Sequence, residues 1–109
     1  MNLSVIIPSR NEMFLNYTVN NVLENSDEGT EVIAILDGAW PEVPLVQHDR
    51  LKVIHFPKSV GQRAGCNIGA RLSRSKYIMK LDAHCTVEKG FDAKLIASAK
   101  ELGREVTQV

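Results

Sequence analysis

The chain has 109 residues, 44% of them hydrophobic, which is enough apolar material for one small core and too little for two. Thirteen Lys plus Arg balance thirteen Asp plus Glu, so nothing in the net charge argues for coating nucleic acid or an acidic membrane surface. No run approaches the roughly 18 apolar residues of a membrane span, and the opening MNLSVIIPSRNE lacks both the basic start and the apolar length of a signal peptide.

The first apolar run, Leu3 to Pro8, has strand length and is nearly continuous, the pattern of a strand covered on both faces. Arg10, Asn11 and Glu12 follow it. Asn11 suits a helix N-cap and Glu12 adds negative charge to a first turn; lining a base pocket is the other reading of these residues. Leu15, Val19, Val22 and Leu23 then form a helical stripe that ends in the turn-like ENSDEGT.

The second apolar run, Glu31 to Asp37, predicts another buried strand. Its terminal carboxylate, Asp37, can accept from the imide of a base or from a ribose hydroxyl, and Gly38 lets a flat ligand approach. An ordinary Asp-Gly turn explains the same two residues. Gly38 to Arg50 resists assignment because Pro41 and Pro44 break regular structure, and Trp40 within it reads as a lid over the core in preference to a stacking surface for substrate.

A third strand is expected over Leu51 to Phe56. Beyond it the charge changes: Lys58 to Leu81 carries six basic residues and no acidic one, whereas Met1 to Pro57 carries eight acidic and three basic. An anion would favour the later segment. There Gly61 to Gly69 reads GQRAGCNIG at the start of a second helix, whose stripe is Ala64, Ile68 and Leu72. Amides at a helix start attract phosphate, with Arg63 placed to reach the same anion. Close packing of a small-residue helix on the sheet is the alternative.

Tyr77 to Asp82 reads as the fourth strand. If the chain stays extended past it, Asp82 and His84 project to the same side. A carboxylate oxygen beside an imidazole nitrogen suits Mn²⁺, and also Zn²⁺ or Fe²⁺; turn capping by Asp82 and a solvated His84 is the competing reading. Phe91, Leu95, Ala99 and Leu102 make a third helix with Gly103 at its end, and Glu105 to Val109 starts a further strand. Cys66 and Cys85 show neither CxxC spacing nor a disulfide framework, and two free thiols suit a reducing, cytoplasmic compartment.

Alternating strands and helices imply an α/β fold with a mostly parallel, doubly wound sheet. Ligands of such sheets bind outside the carboxyl ends of the strands, where strand order reverses. The residues just past the strands are Ser9 to Glu12, Asp37-Gly38, Pro57-Lys58 and Asp82 to His84.

In this order SVIIPSRNE, EVIAILDGA and VGQRAGCNIGARLSRSKYIMKLDAHC resemble the GT-A-fold glycosyltransferases of the family 2 type. The ending LDAHC, followed by GFDAKLI, is similar to the polypeptide N-acetylgalactosaminyltransferases, where an Asp-x-His pair holds Mn²⁺. The resemblance implies transfer of a sugar from a UDP-sugar donor, with Mn²⁺ or Mg²⁺ held by Asp82 and His84. It places Asp37 on uracil or ribose and Pro8 to Arg10 in the base pocket; together with the residue readings above, the expected donor site is drawn from Pro8, Ser9, Arg10, Glu12, Asp37, Gly61, Arg63, Asn67 and Asp82. Two departures stand out: the second strand ends Leu36-Asp37-Gly38 in place of an Asp-Asp pair, and His84 replaces a second aspartate. Complete domains of this type are longer, so the resemblance covers the nucleotide-sugar-binding portion and names neither acceptor nor catalytic base. A sheet that stops short exposes an edge, from which self-association is expected.

Overall fold

The two most apolar runs form the middle of the sheet. β1 (Leu3–Ser9) and β2 (Thr30–Asp37) are buried at every position, as continuous rather than alternating hydrophobicity requires. Each fully buried Leu, Ile or Val contributes about 1.5–3 kcal/mol, which makes these strands the main source of stability. The computed structural model describes residues 2–10, 14–38, 45–102 and 106–108.

The remaining elements are α1 (Leu15–Glu24), β3 (Leu51–Phe56), α2 (Gln62–Leu72), β4 (Tyr77–Lys80), α3 (Phe91–Leu102) and β5 (Val106–Gln108). The strands form one parallel sheet in the order β3-β2-β1-β4-β5. From β1 the chain proceeds outward to β2 and β3, then crosses to the other side of β1 for β4 and β5. The order therefore reverses between β1 and β4, where a ligand crevice belongs.

Helices cover both faces. Leu3, Val5, Ile7, Val32, Leu36, Tyr77 and Met79 pack with Leu15, Val19, Val22 and Leu23 of α1 and with Phe91 and Ala99 of α3. Ile6, Ile33 and Ile35 form the other face, against Cys66 and Ala70 of α2. The doubly wound architecture and the stripes of the first and third helices match expectation, with the Leu102 side chain and Gly103 outside the described residues.

Three local expectations are corrected. α1 begins at Leu15 with Phe14 in the N-cap position and no side-chain cap, so an N-cap at Asn11 does not hold; Asn11 itself, Glu12 and Trp40 lie outside the described residues. The Ala64–Ile68–Leu72 stripe is not the buried face of α2: Leu72 is 58% exposed, while Gly65 and Gly69 are buried. A Cβ on Gly65 would stand 3.0 Å from Ile35 Cγ2, and one on Gly69 would stand 3.3 Å from Ile6 Cγ2. The helix thus sits too close to the sheet for larger residues, and its small residues form the contact. Finally, β4 ends at Lys80 and does not run to Asp82.

Candidate functional site

The early end of β4 shapes the site. Leu81 N–H still donates to Ile6 O (2.9 Å), the last bond to β1, and the chain then turns so that Cys85 N–H donates to Asp82 O (3.1 Å). Asp82 and His84 are therefore brought together by a turn and not by extended backbone. α1 holds that turn from behind: the buried Thr18 hydroxyl donates to Ala83 O (2.6 Å), and Val87 N–H donates to Asn21 Oδ1 (2.7 Å). With these anchors, one ligand atom each of Asp82, His84 and Cys85 falls within 4.8 Å of the others. Neither Thr18 nor Asn21 stands out in the sequence, because each acts on a loop 65 or 66 residues away.

On the other side of β1, Asp37 at the tip of β2 organises the approach to α2. Val60 N–H donates to its Oδ1 at 2.6 Å, and the Ser59 hydroxyl and Gly61 N–H donate to its Oδ2 at 3.0 Å each. Gly38 has φ +86°, and a Cβ there would meet Ser59 N at 3.1 Å, so the glycine admits protein backbone at this point. The Val60 amide is the main cause that holds the Asp37 carboxyl below its ordinary range; burial opposes it, and Ser59, Gly61 and the Arg10 charge add to the lowering.

Between these two arms lies a pocket of about 470 Å³, lined by Pro8, Ser9, Arg10, Asp37, Ser59, Gly61, Gln62, Asp82, Ala83 and His84. It sits at the order reversal of the sheet. Of the residues singled out in the sequence, Pro8, Ser9, Arg10, Asp37, Gly61, Asp82 and His84 meet there. Arg63 and Asn67 are exposed on α2 and are not part of its lining. The amides of Val60 and Gly61 are engaged by the Asp37 carboxylate, so the anion at this helix start is the protein's own. Ser59, Gln62 and Ala83 line the pocket without any signal in the sequence.

The donor set tests whether a divalent cation fits. Carboxylate oxygen, imidazole nitrogen and thiol sulfur lie on one turn, and two of the three residues border the pocket. Such atoms are ligands of divalent first-row metals, so the donor set on this turn is chemically suited to a divalent cation.

A parallel, doubly wound sheet in this strand order, with its pocket at the order reversal, defines a Rossmann-like fold of the GT-A type. The family model for Glycosyl transferase family 2 matches residues 4–109, and the chain belongs to that family. Two solved structures are similar to it, the crystal structures of S. aureus TarS and of TarS 1-349, each with 17% identity and a TM-score of 0.72 over 93% of this chain. The chain spans only 20% and 33% of those two chains. No curated protein matches the sequence at a significant level. No helix among the described residues is long and apolar enough to cross a membrane.

Proposed function

We propose that the chain is the nucleotide-sugar-binding portion of a metal-dependent glycosyltransferase that moves a hexosyl group from a UDP-sugar to an acceptor. The observation that carries this reading is the presentation of Asp82 and His84 together on the wall of the switch-point pocket. Asp82 and His84 would hold Mn²⁺ or Mg²⁺, which when bound supplies Lewis-acid stabilisation of a departing diphosphate. Arg10, on the same pocket wall, offers a guanidinium whose paired donors suit phosphate oxygens.

Asp37 acts mainly as a positioning residue in this account. Three of its acceptor sites are occupied by Ser59, Val60 and Gly61, which leaves capacity for one further donor from a ribose or a uracil imide. Pro8, Ser9 and Gly61 complete the wall on which the nucleoside would lie. Two free cysteines fit a reducing, cytoplasmic setting.

Calorimetry with UDP, with and without Mn²⁺, tests the reading: binding is expected to strengthen with the metal, and that increment is expected to vanish in Asp82→Ala. Equal binding of Mn-UDP by the variant and the parent contradicts it. A second reading is a donor-binding module with no transfer activity of its own. Tight Mn-UDP binding with no donor hydrolysis or transfer distinguishes the module from the enzyme.

A further inference from the structure

Cys85 belongs to the same turn as Asp82 and His84, and the resemblance to known glycosyltransferases gives it no role. We propose that its sulfur is a third ligand at this site, and that the site takes a thiophilic or borderline cation of the Zn²⁺ class in preference to Mg²⁺. The proposal rests on the metal reading of Asp82 and His84 and adds to it the identity of the ion.

Geometry supports three ligands. The Cys85 N–H to Asp82 O bond closes the turn and brings the first and fourth residues of it together. Cys85 is half-buried and packed against the core formed with α1, and that packing leaves its sulfur within 4.8 Å of ligand atoms of Asp82 and His84. His84 is exposed and free to swing onto a shared ion. Bonds of about 2.0–2.3 Å to one tetrahedral ion place ligand atoms roughly 3.5 Å apart. The separations of up to 4.8 Å seen here close by side-chain rotation, without rearrangement of a backbone already pinned by Thr18 and Asn21.

Chemistry sets the preference. An oxygen and a nitrogen alone make a site that hard Mg²⁺ or Mn²⁺ can share, whereas a thiolate selects softer ions. Three protein ligands with the fourth position open to the pocket is the arrangement of catalytic zinc. On ligation the thiol proton passes to solvent, so metal uptake releases a proton. Cys66, the other thiol, packs on the opposite face of the sheet with Ile6 and Ile35 and serves as the internal control.

The test is titration of the full chain with Co²⁺ in a phosphine reductant, read by absorbance. The parent and Cys66→Ser are expected to show the near-ultraviolet sulfur-to-cobalt charge-transfer band together with intense visible bands of a tetrahedral ion. Cys85→Ser is expected to lose the charge-transfer band. Its preference for Zn²⁺ over Mn²⁺ in competition is expected to fall by about 10–100-fold, since even outer-shell losses cost that much. Cobalt binding without a charge-transfer band in the parent, or a band that survives Cys85→Ser, overturns the role of Cys85 and leaves Asp82 and His84 standing. A parent that takes up neither Co²⁺ nor Mn²⁺ overturns the underlying metal site as well. Circular dichroism of Cys85→Ser and of Cys85→Ala separates lost ligation from lost fold.

Discussion

Two aspartates at opposite ends of β2 look alike in isolation. Asp37 is 5% exposed and accepts from Ser59, Val60 and Gly61. Asp92 is 2% exposed and accepts from Asp27 N–H (2.9 Å), the Thr30 hydroxyl (2.8 Å) and Ala93 N–H (3.0 Å). Both carboxyls are held below their ordinary value; at Asp92 burial pushes upward and the hydrogen bonds together outweigh it. Their surroundings differ. Asp37 borders a pocket that also contains Arg10, Asp82 and His84, while Asp92 joins α3 to the start of β2, beside an Arg50 guanidinium that ties Leu23 O (2.9 Å), Ser26 Oγ (3.1 Å), Asp27 O and Thr30 O (2.8 Å) together. A buried, well-bonded carboxylate is thus no evidence of a site. What differs here is the position relative to the strand ends: among the described residues a pocket borders Asp37 at the carboxyl end of the sheet, whereas Asp92 bonds to protein groups at the amino end.

That contrast can be broken by mutation, and the largest effect is expected at the amino end. Asp92→Ala strips the partner from Thr30 and from the Asp27 amide and is expected to lower the unfolding free energy by about 3 kcal/mol, near the upper range for hydrogen bonds to a charged group. Urea denaturation measures it, and Mn-UDP affinity of the folded protein is expected to stay unchanged. Asp37→Asn keeps the shape but turns an amide toward donors that need an acceptor. It is expected to cost about 1–2 kcal/mol of stability and, unlike the Asp92 change, to weaken UDP binding in the same calorimetry. Thr18→Val is nearly isosteric and leaves Ala83 O without its hydroxyl donor; a loss of about 1 kcal/mol is expected, accompanied by weaker uptake of Mn²⁺ because the Asp82–Cys85 turn loosens.

Acid titration sharpens the comparison further. A carboxyl whose folded-state pKa is depressed contributes stability that is fully present above its unfolded value and is lost as pH falls through the folded value. For Asp37 and Asp92 the loss therefore begins near the ordinary value of 3.8 and continues below it. Urea midpoints followed from neutral pH downward are expected to fall less steeply in this window for Asp92→Asn than for the parent. The smallest effect is expected at Arg63: lying outside the pocket, its change to alanine is expected to shift UDP affinity within the ±0.5 kcal/mol or so typical of surface substitutions.

Strand positions and the doubly wound order were legible because burial on both faces leaves a continuous apolar run, as in VIIP and VIAIL, which no surface element produces. The strand-end rule places Pro8 to Arg10, Asp37, Asp82 and His84 at one end of the sheet, where they line one pocket. Features that depend on packing were not legible. The buried face of α2 is set by glycines, which carry no hydrophobic signal, so Ala64, Ile68 and Leu72 marked the wrong stripe. The phosphate expectation for the Gly61 segment overlooked Asp37 as a competing anion, because a contact across 23 or 24 residues leaves no local trace. Similarly, the turn that unites Asp82, His84 and Cys85 is set by Thr18 on a distant helix.

The central claim, that the cation binds at the carboxyl end of the sheet on the Asp82–Cys85 turn, is tested most directly by paramagnetic broadening of backbone amide resonances on addition of Mn²⁺ and UDP. Broadening centred on Ala83 to Cys85 and extending to Ser9 and Arg10, with Asp27, Thr30 and Asp92 unaffected, is the result expected. Broadening centred on Asp27 and Asp92, or none at saturating Mn²⁺, would contradict the account.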